Sequence, residues 1–215
     1  MSLAYRAVGP PNPQARLLLA HGAGTGWATP FMEVITTLLA DRDIATLRFQ
    51  FAYMAARSQT GARRPPPKAE SLMDEYRAAV AGVPPGSPLL IGGKSLGGRV
   101  ASLVADELHA SGRIAGLVCL GYPFHPPKNP GQLRTQHLLR LACPALIIQG
   151  ERDPFGSRGE VERLGLSPMI RFYWAGDGDH DLGPRGGSGF TRKGNLTAAA
   201  DAVAAFAMEL GGAYY

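Results

Sequence analysis

Apolar residues along this chain fall into two alternating textures. Short continuous runs occupy residues 17–20, 88–91, Gly116–Leu120 and 145–149. Continuous rather than alternating runs mark strands covered on both faces, as in a parallel sheet. Two more runs, Ile44–Phe49 and 169–175, are rich in β-branched or aromatic residues and also read as strands. Between the runs the apolar spacing becomes helical. In Pro30–Ala40 the residues Phe31, Val34, Ile35, Leu38 and Leu39 line one face behind a Thr29-Pro30 start signal. Residues 69–81 carry Leu72, Met73, Tyr76 and Val80, and Leu96–Ala110 carries Val100, Leu103, Val104 and Leu108. A helix is also expected over 132–141, with Leu133, His137, Leu138 and Leu141 on one side. The closing pattern, 197–210, reads as a helix capped by Asn195 and ended by Gly211-Gly212.

Strand and helix alternate from residue 17 onward, which predicts an α/β fold: a three-layer α/β/α sandwich around a mostly parallel, doubly wound sheet. No composition shift or internal repeat divides the chain, so residues 1–215 are expected to form a single domain. Residues 52–68, with three consecutive prolines, read as a loop long enough to be functional.

Composition narrows the class. Apolar residues make up 45% and charged residues 18% of the 215 positions, which excludes a disordered chain or a coiled coil. The net charge of +5 is mostly scattered, apart from Arg57, Arg63, Arg64 and Lys68. With no nucleic-acid-binding motif beside it, the charge is read chiefly as solubility. Cys119 and Cys143 lie in or beside apolar runs and are expected to be buried free thiols. Pro10, Pro11 and Pro13 break any secretory apolar segment, and no run reaches the ~20 residues that span a bilayer. The expectation is a cytoplasmic protein with no membrane or nucleic-acid partner.

The strongest chemical signal is Gly93-Lys94-Ser95-Leu96-Gly97, a G-x-S-x-G sequence between a strand and a helix. A serine at so sharp a bend sits in a strained backbone conformation, and side chains on either flank would collide with neighbouring elements. The turn lifts the Ser95 hydroxyl above the sheet and aims the Leu96 amide at the place where an oxyanion would form. The pentapeptide also resembles the end of a phosphate loop, but that motif needs glycine at position 88, where Pro88 stands.

A serine needs a base, and the base needs an orienting carboxylate. After the run 145–149 comes Gly150-Glu151-Arg152-Asp153-Pro154; after 169–175 comes Gly176-Asp177-Gly178-Asp179-His180-Asp181. Both loops fall on the edge of a parallel sheet that carries Ser95, which makes Asp153 and His180 the favoured pair and Glu151 the rival acid. Asp179 and Asp181 read as solvated loop carboxylates. His21, His109, His125 and His137 are the other imidazoles; His109 and His137 lie in helical patterns, and His125 follows a strand. The spacing of Asp177, Asp179 and Asp181 does not continue into a calcium loop, and no His/Cys cluster has metal spacing. The turn His21-Gly22-Ala23-Gly24 follows the first strand but lacks the third glycine of a dinucleotide fingerprint.

Taken with Gly121-Tyr122-Pro123-Phe124-His125-Pro126-Pro127, these motifs resemble the α/β-hydrolase superfamily over roughly residues 15–210. Within it they resemble a small lid-less group related to dienelactone hydrolases, one that includes testis-expressed hydrolase-like proteins. The resemblance implies an open site without a cap domain, no cofactor or metal, and a Ser95–Asp153–His180 triad. It also implies a second oxyanion amide from Ala23, with Gly22 next. Dienelactone hydrolases use cysteine where this chain has Ser95, which argues against a lactone substrate. The expected activity is hydrolysis of an ester-like bond, a class that takes in thioester and amide, in a small-molecule acyl substrate. Tyr53, Arg63, Arg64, Lys94, Tyr122 and His125 are candidate residues of the pocket rim. Two other classes fit the same sequence: a non-catalytic binding protein on this fold, and an acyltransferase using the same nucleophile.

Overall fold

Leu17, Leu18, Leu19, Ile91, Val118, Ile147 and Ile148 have no exposed surface, which requires a sheet covered on both faces. Full burial of each such side chain contributes about 2 kcal/mol. The computed structural model describes residues 4–61 and 65–212. Its strands are Arg6–Val8 (β1), Ala15–Ala20 (β2), Ile44–Phe49 (β3), Leu89–Lys94 (β4), Gly116–Leu120 (β5), Ala145–Gly150 (β6) and Ile170–Ala175 (β7). They form one sheet in the order β1-β3-β2-β4-β5-β6-β7, with β1 antiparallel to β3 and every other pair parallel.

The helices are Pro30–Ala40 (α1), Ala52–Thr60 (α2), Met73–Ala81 (α3), Leu96–Ala110 (α4), Arg158–Val161 (α5) and Arg192–Gly212 (α6). One core joins Phe31, Ile35 and Leu39 of α1 to Val203 and Phe206 of α6; the other joins Tyr76 and Val80 of α3 to Val100 and Val104 of α4. The sheet lies between the two cores. The chain runs from β2 outward to β3, then returns past β2 to β4 and continues the other way. That reversal opens a crevice beyond the carboxyl ends of β2 and β4, the place where ligands bind in open α/β sheets. No helix among the described residues is long and apolar enough to cross a membrane.

Several elements differ from the sequence expectation. Strand β1 was not foreseen, because three residues on a polar edge carry no period. The first half of the expected loop 52–68 is helix α2, which buries Met54 and ends at Gly61 in the left-handed conformation (φ 69°), ahead of the prolines. Over 132–141 only a 3-10 turn forms, Gln136–Arg140. Tertiary hydrogen bonds claim the backbone there: Arg134 N donates to Phe124 O (2.8 Å) and Ser167 N to Leu138 O (3.0 Å). Helix α6 starts at Arg192, so Asn195 is not its cap; Thr191 Oγ1 accepts from Gly194 N (3.0 Å) instead.

Candidate active site

Strand β4 ends at Lys94 and α4 begins at Leu96, leaving Ser95 to make the whole turn. Its φ of 52° and ψ of −113° are disfavoured for any residue with a Cβ. Ser95 N donates to Leu120 O and Ser95 O accepts from Arg99 N, both at 3.0 Å, so the strand and helix on either side hold the strained residue in place. The flanking glycines are steric requirements. A Cβ on Gly93 would stand 2.7 Å from Ala20 O, and one on Gly97 would stand 2.5 Å from the same oxygen. A Cβ on Gly22 would lie 3.8 Å from Ser95 Cβ, which puts the turn after β2 directly beside the serine.

That turn is held by His21. The ring is fully buried; its Nδ1 lies 2.7 Å from Gly22 O, and its Nε2 accepts from Phe51 N at 3.2 Å. One nitrogen must donate and the other accept, so Nδ1 carries the proton. Burial pushes the His21 pKa down, which keeps the ring neutral. Tyr53, on α2, donates its hydroxyl to Ala23 O (3.1 Å), and Arg57 donates to Gly24 O (3.1 Å).

His180 and Asp153 meet. His180 Nδ1 lies 2.7 Å from Asp153 Oδ2, and the carboxylate has no exposed surface. Asp153 Oδ1 accepts from Phe155 N (2.8 Å) and Oδ2 also accepts from Gln149 Nε2 (2.9 Å), so the buried charge is fully engaged. The Phe155 ring packs on the imidazole with centroids 4.4 Å apart. An imidazole held this way has its lone pair at Nε2, where it can take a proton, and the carboxylate stabilises the resulting imidazolium. A Cβ on Gly121 would stand 3.2 Å from His180 Nδ1, so the ring rests over the end of β5, the strand beside β4.

The other carboxylates of the histidine loop have separate duties. Glu151 accepts from Asp177 N (2.9 Å) and pairs with Arg158, so it does not face the imidazole. The Arg185 guanidinium, helped by Arg152, holds the Asp177 carboxyl down at about 2. Asp179 Oδ1 shapes the turn by accepting from Asp181 N and Gly183 N. Asn195 Nδ2 donates to Gly176 O and Leu182 O, tying the loop to α6.

Several rim expectations are corrected. Tyr122 has no exposed surface, and its hydroxyl donates to Arg134 O (2.9 Å), so it belongs to the core. His125 is 5% exposed and turns its Nδ1 to Pro126 O, beside a small cavity lined by Phe124, Leu133, Val161 and Leu164. Lys94 is buried rather than presented to solvent. Arg63 and Arg64 lie outside the described residues. His109 and His137 are occupied, by Ile114 O and Ser102 Oγ respectively. Gln149, Phe155 and Asn195 support the site without having been singled out in the sequence as supports. Only Gln149 left a signal, as a polar residue ending an apolar strand.

The two cysteines are free and buried, and no group of three or more His, Cys, Asp or Glu among the described residues could hold a metal ion. A model of the alpha/beta hydrolase domain family matches residues 13–208. A dienelactone hydrolase from Anabaena variabilis superposes with a TM-score of 0.70 at 21% identity, over 96% of this chain and 91% of that one. Est1E from Butyrivibrio proteoclasticus gives 0.70 at 14% identity over 97% and 94%. A serine hydrolase without a lid from Xanthomonas campestris gives 0.59 at 18% identity over 84% and 81%. At these identities the solved structures establish a common fold.

Proposed function

The chain belongs to the alpha/beta hydrolase family, and from that premise we propose that it is a serine hydrolase cleaving an ester-like bond through an acyl-enzyme on Ser95. His180 Nε2 takes the Ser95 proton as Oγ attacks the carbonyl carbon of a small-molecule acyl substrate. The amides of Leu96 and Ala23 hold the oxyanion, an interaction that in such sites contributes about 10²–10³ in rate per donor. Imidazolium then protonates the leaving group as the acyl bond breaks. Water, deprotonated by His180, attacks the acyl-enzyme and releases the acid, restoring Ser95. Asp153 keeps the imidazole in the tautomer that makes both steps feasible.

The observation that carries this proposal is the 2.7 Å pairing of His180 Nδ1 with a carboxylate that has no exposed surface. A surface ion pair would need no such burial, and an imidazole serving only packing would need no such partner. The test is labelling with a fluorophosphonate probe, followed by turnover of p-nitrophenyl esters of graded chain length. Labelling that disappears in Ser95→Ala, together with ester turnover, is the expected result. A folded native protein that takes no label would overturn the proposal, and label surviving in Ser95→Ala would move the nucleophile elsewhere.

A further inference from the structure

Lys94 immediately precedes Ser95, yet its side chain is 9% exposed. Nζ donates to His180 O over 2.8 Å and pairs with Asp181 Oδ1 at 3.2 Å. It also stands 5.4 Å from the centre of the Phe31 ring, a cation–π distance. An ammonium is costly to bury, and a solubilising lysine would extend into water instead. One side chain thus spans from the residue before the serine to the main chain of the histidine.

Resting on the serine-hydrolase proposal above, we propose that Lys94 is a positioning residue for His180, holding its main-chain carbonyl and so the place from which its ring is presented. Among the described residues, two charged groups engage His180 directly: Asp153, from the loop after β6, at the ring Nδ1, and Lys94, from the end of β4, at the main-chain carbonyl. Asp179 Oδ1 is taken by the Asp181 and Gly183 amides, and Asp181 Oδ1 pairs with Lys94. Burial pulls the Lys94 pKa down, while Asp181, and then Asp153 and Asp179, act to raise it.

The test uses Lys94→Met, which keeps length and apolar volume while removing charge and donor. The expected result is a kcat reduced about tenfold, as the base loses its exact height, with KM little changed. Fluorophosphonate labelling of Ser95 should slow by a similar factor, because the probe needs the positioned base and not the substrate's binding contacts. A Lys94→Met enzyme with unchanged kcat would overturn the proposal. So would a fall in kcat matched by a comparable change in KM, since a general loosening of the site gives that pattern. If Lys94→Met does not fold, Lys94→Gln, which keeps a neutral donor on a shorter stem, decides by the same split between kcat and KM. Wild-type protein that resists the fluorophosphonate probe would overturn the serine-hydrolase proposal and this one with it. Wild-type labelling with kcat unchanged in the Lys94 variant would overturn this one alone.

Discussion

Gln149 Nε2 donates to Asp153 Oδ2 at 2.9 Å, sharing that oxygen with His180 Nδ1. The same amide accepts from Tyr122 N (2.7 Å) and reaches Tyr122 O and Gly156 O. One fully buried side chain therefore joins the chain after β5 to the acid-bearing loop after β6. Gln149→Leu should leave a buried carboxylate and a buried amide short of partners, costing about 1–3 kcal/mol. Chemical denaturation should register that loss, and probe labelling of Ser95 should slow as Asp153 loses its fixed orientation.

Ser95 carries backbone strain of about 1–3 kcal/mol, part of which a glycine would relieve. Glycine also loses about 0.5–1 kcal/mol through its greater freedom in the unfolded chain. Ser95→Gly should therefore be a net gain of about 1 kcal/mol, raising Tm by about 2–4 °C while abolishing turnover. A Tm unchanged or lowered in a calorimetric scan would contradict the strain.

Gly97 has the opposite sensitivity. A methyl there would press on the carbonyls of Ala20 and His21, at 2.5 and 2.7 Å, and neither backbone can retreat without parting β2 from β4. Gly97→Ala should cost about 3 kcal/mol, visible as a lower midpoint in urea. Gly24→Ala has open space around its Cβ and serves as the tolerated control.

His137 sets a pH dependence of stability away from the serine. Burial, with a smaller push from Arg99, lowers its pKa to about 4, against opposing contributions from Asp106 and Glu70. The folded value lies below the unfolded one, so its stabilising contribution is complete above pH ~6.5 and declines as the pH falls toward about 4. Over that window the loss should be about 2 kcal/mol, after allowing for a ring that is not fully buried. His137→Gln should flatten the dependence of Tm on pH between 7 and 4. A slope identical to wild type would remove His137 from the account.

The sheet's inner strands were legible because continuous apolar runs have one structural use in an alternating α/β chain. The serine turn was legible for a related reason, since Gly93 and Gly97 are sterically compelled and leave their spacing in the sequence. What was hidden depended on partners far along the chain. Leu138 lends its carbonyl to Ser167, so its apolar spacing could not become a longer helix. Tyr122 follows a strand like a pocket residue, but its hydroxyl finds Arg134 and turns inward. Lys94 read as a rim residue because lysine is seldom buried; its burial depends on Asp181 and His180 O, some 86 residues away for the latter. The prolines at 65–67 obscured α2, because their loop signal was extended back past Gly61.

Helix α2 divides the labour of the site unequally. The histidine, its acid and the serine turn rest on strand ends and on buried hydrogen bonds that tolerate little change. The helix instead rides on the exterior, leaning on the turn after β2 through the side chains of Tyr53 and Arg57. Two of its side chains therefore brace the turn beside Ser95, while the exposed Ala52 and Ala56 leave other positions of the nine-residue helix open to change.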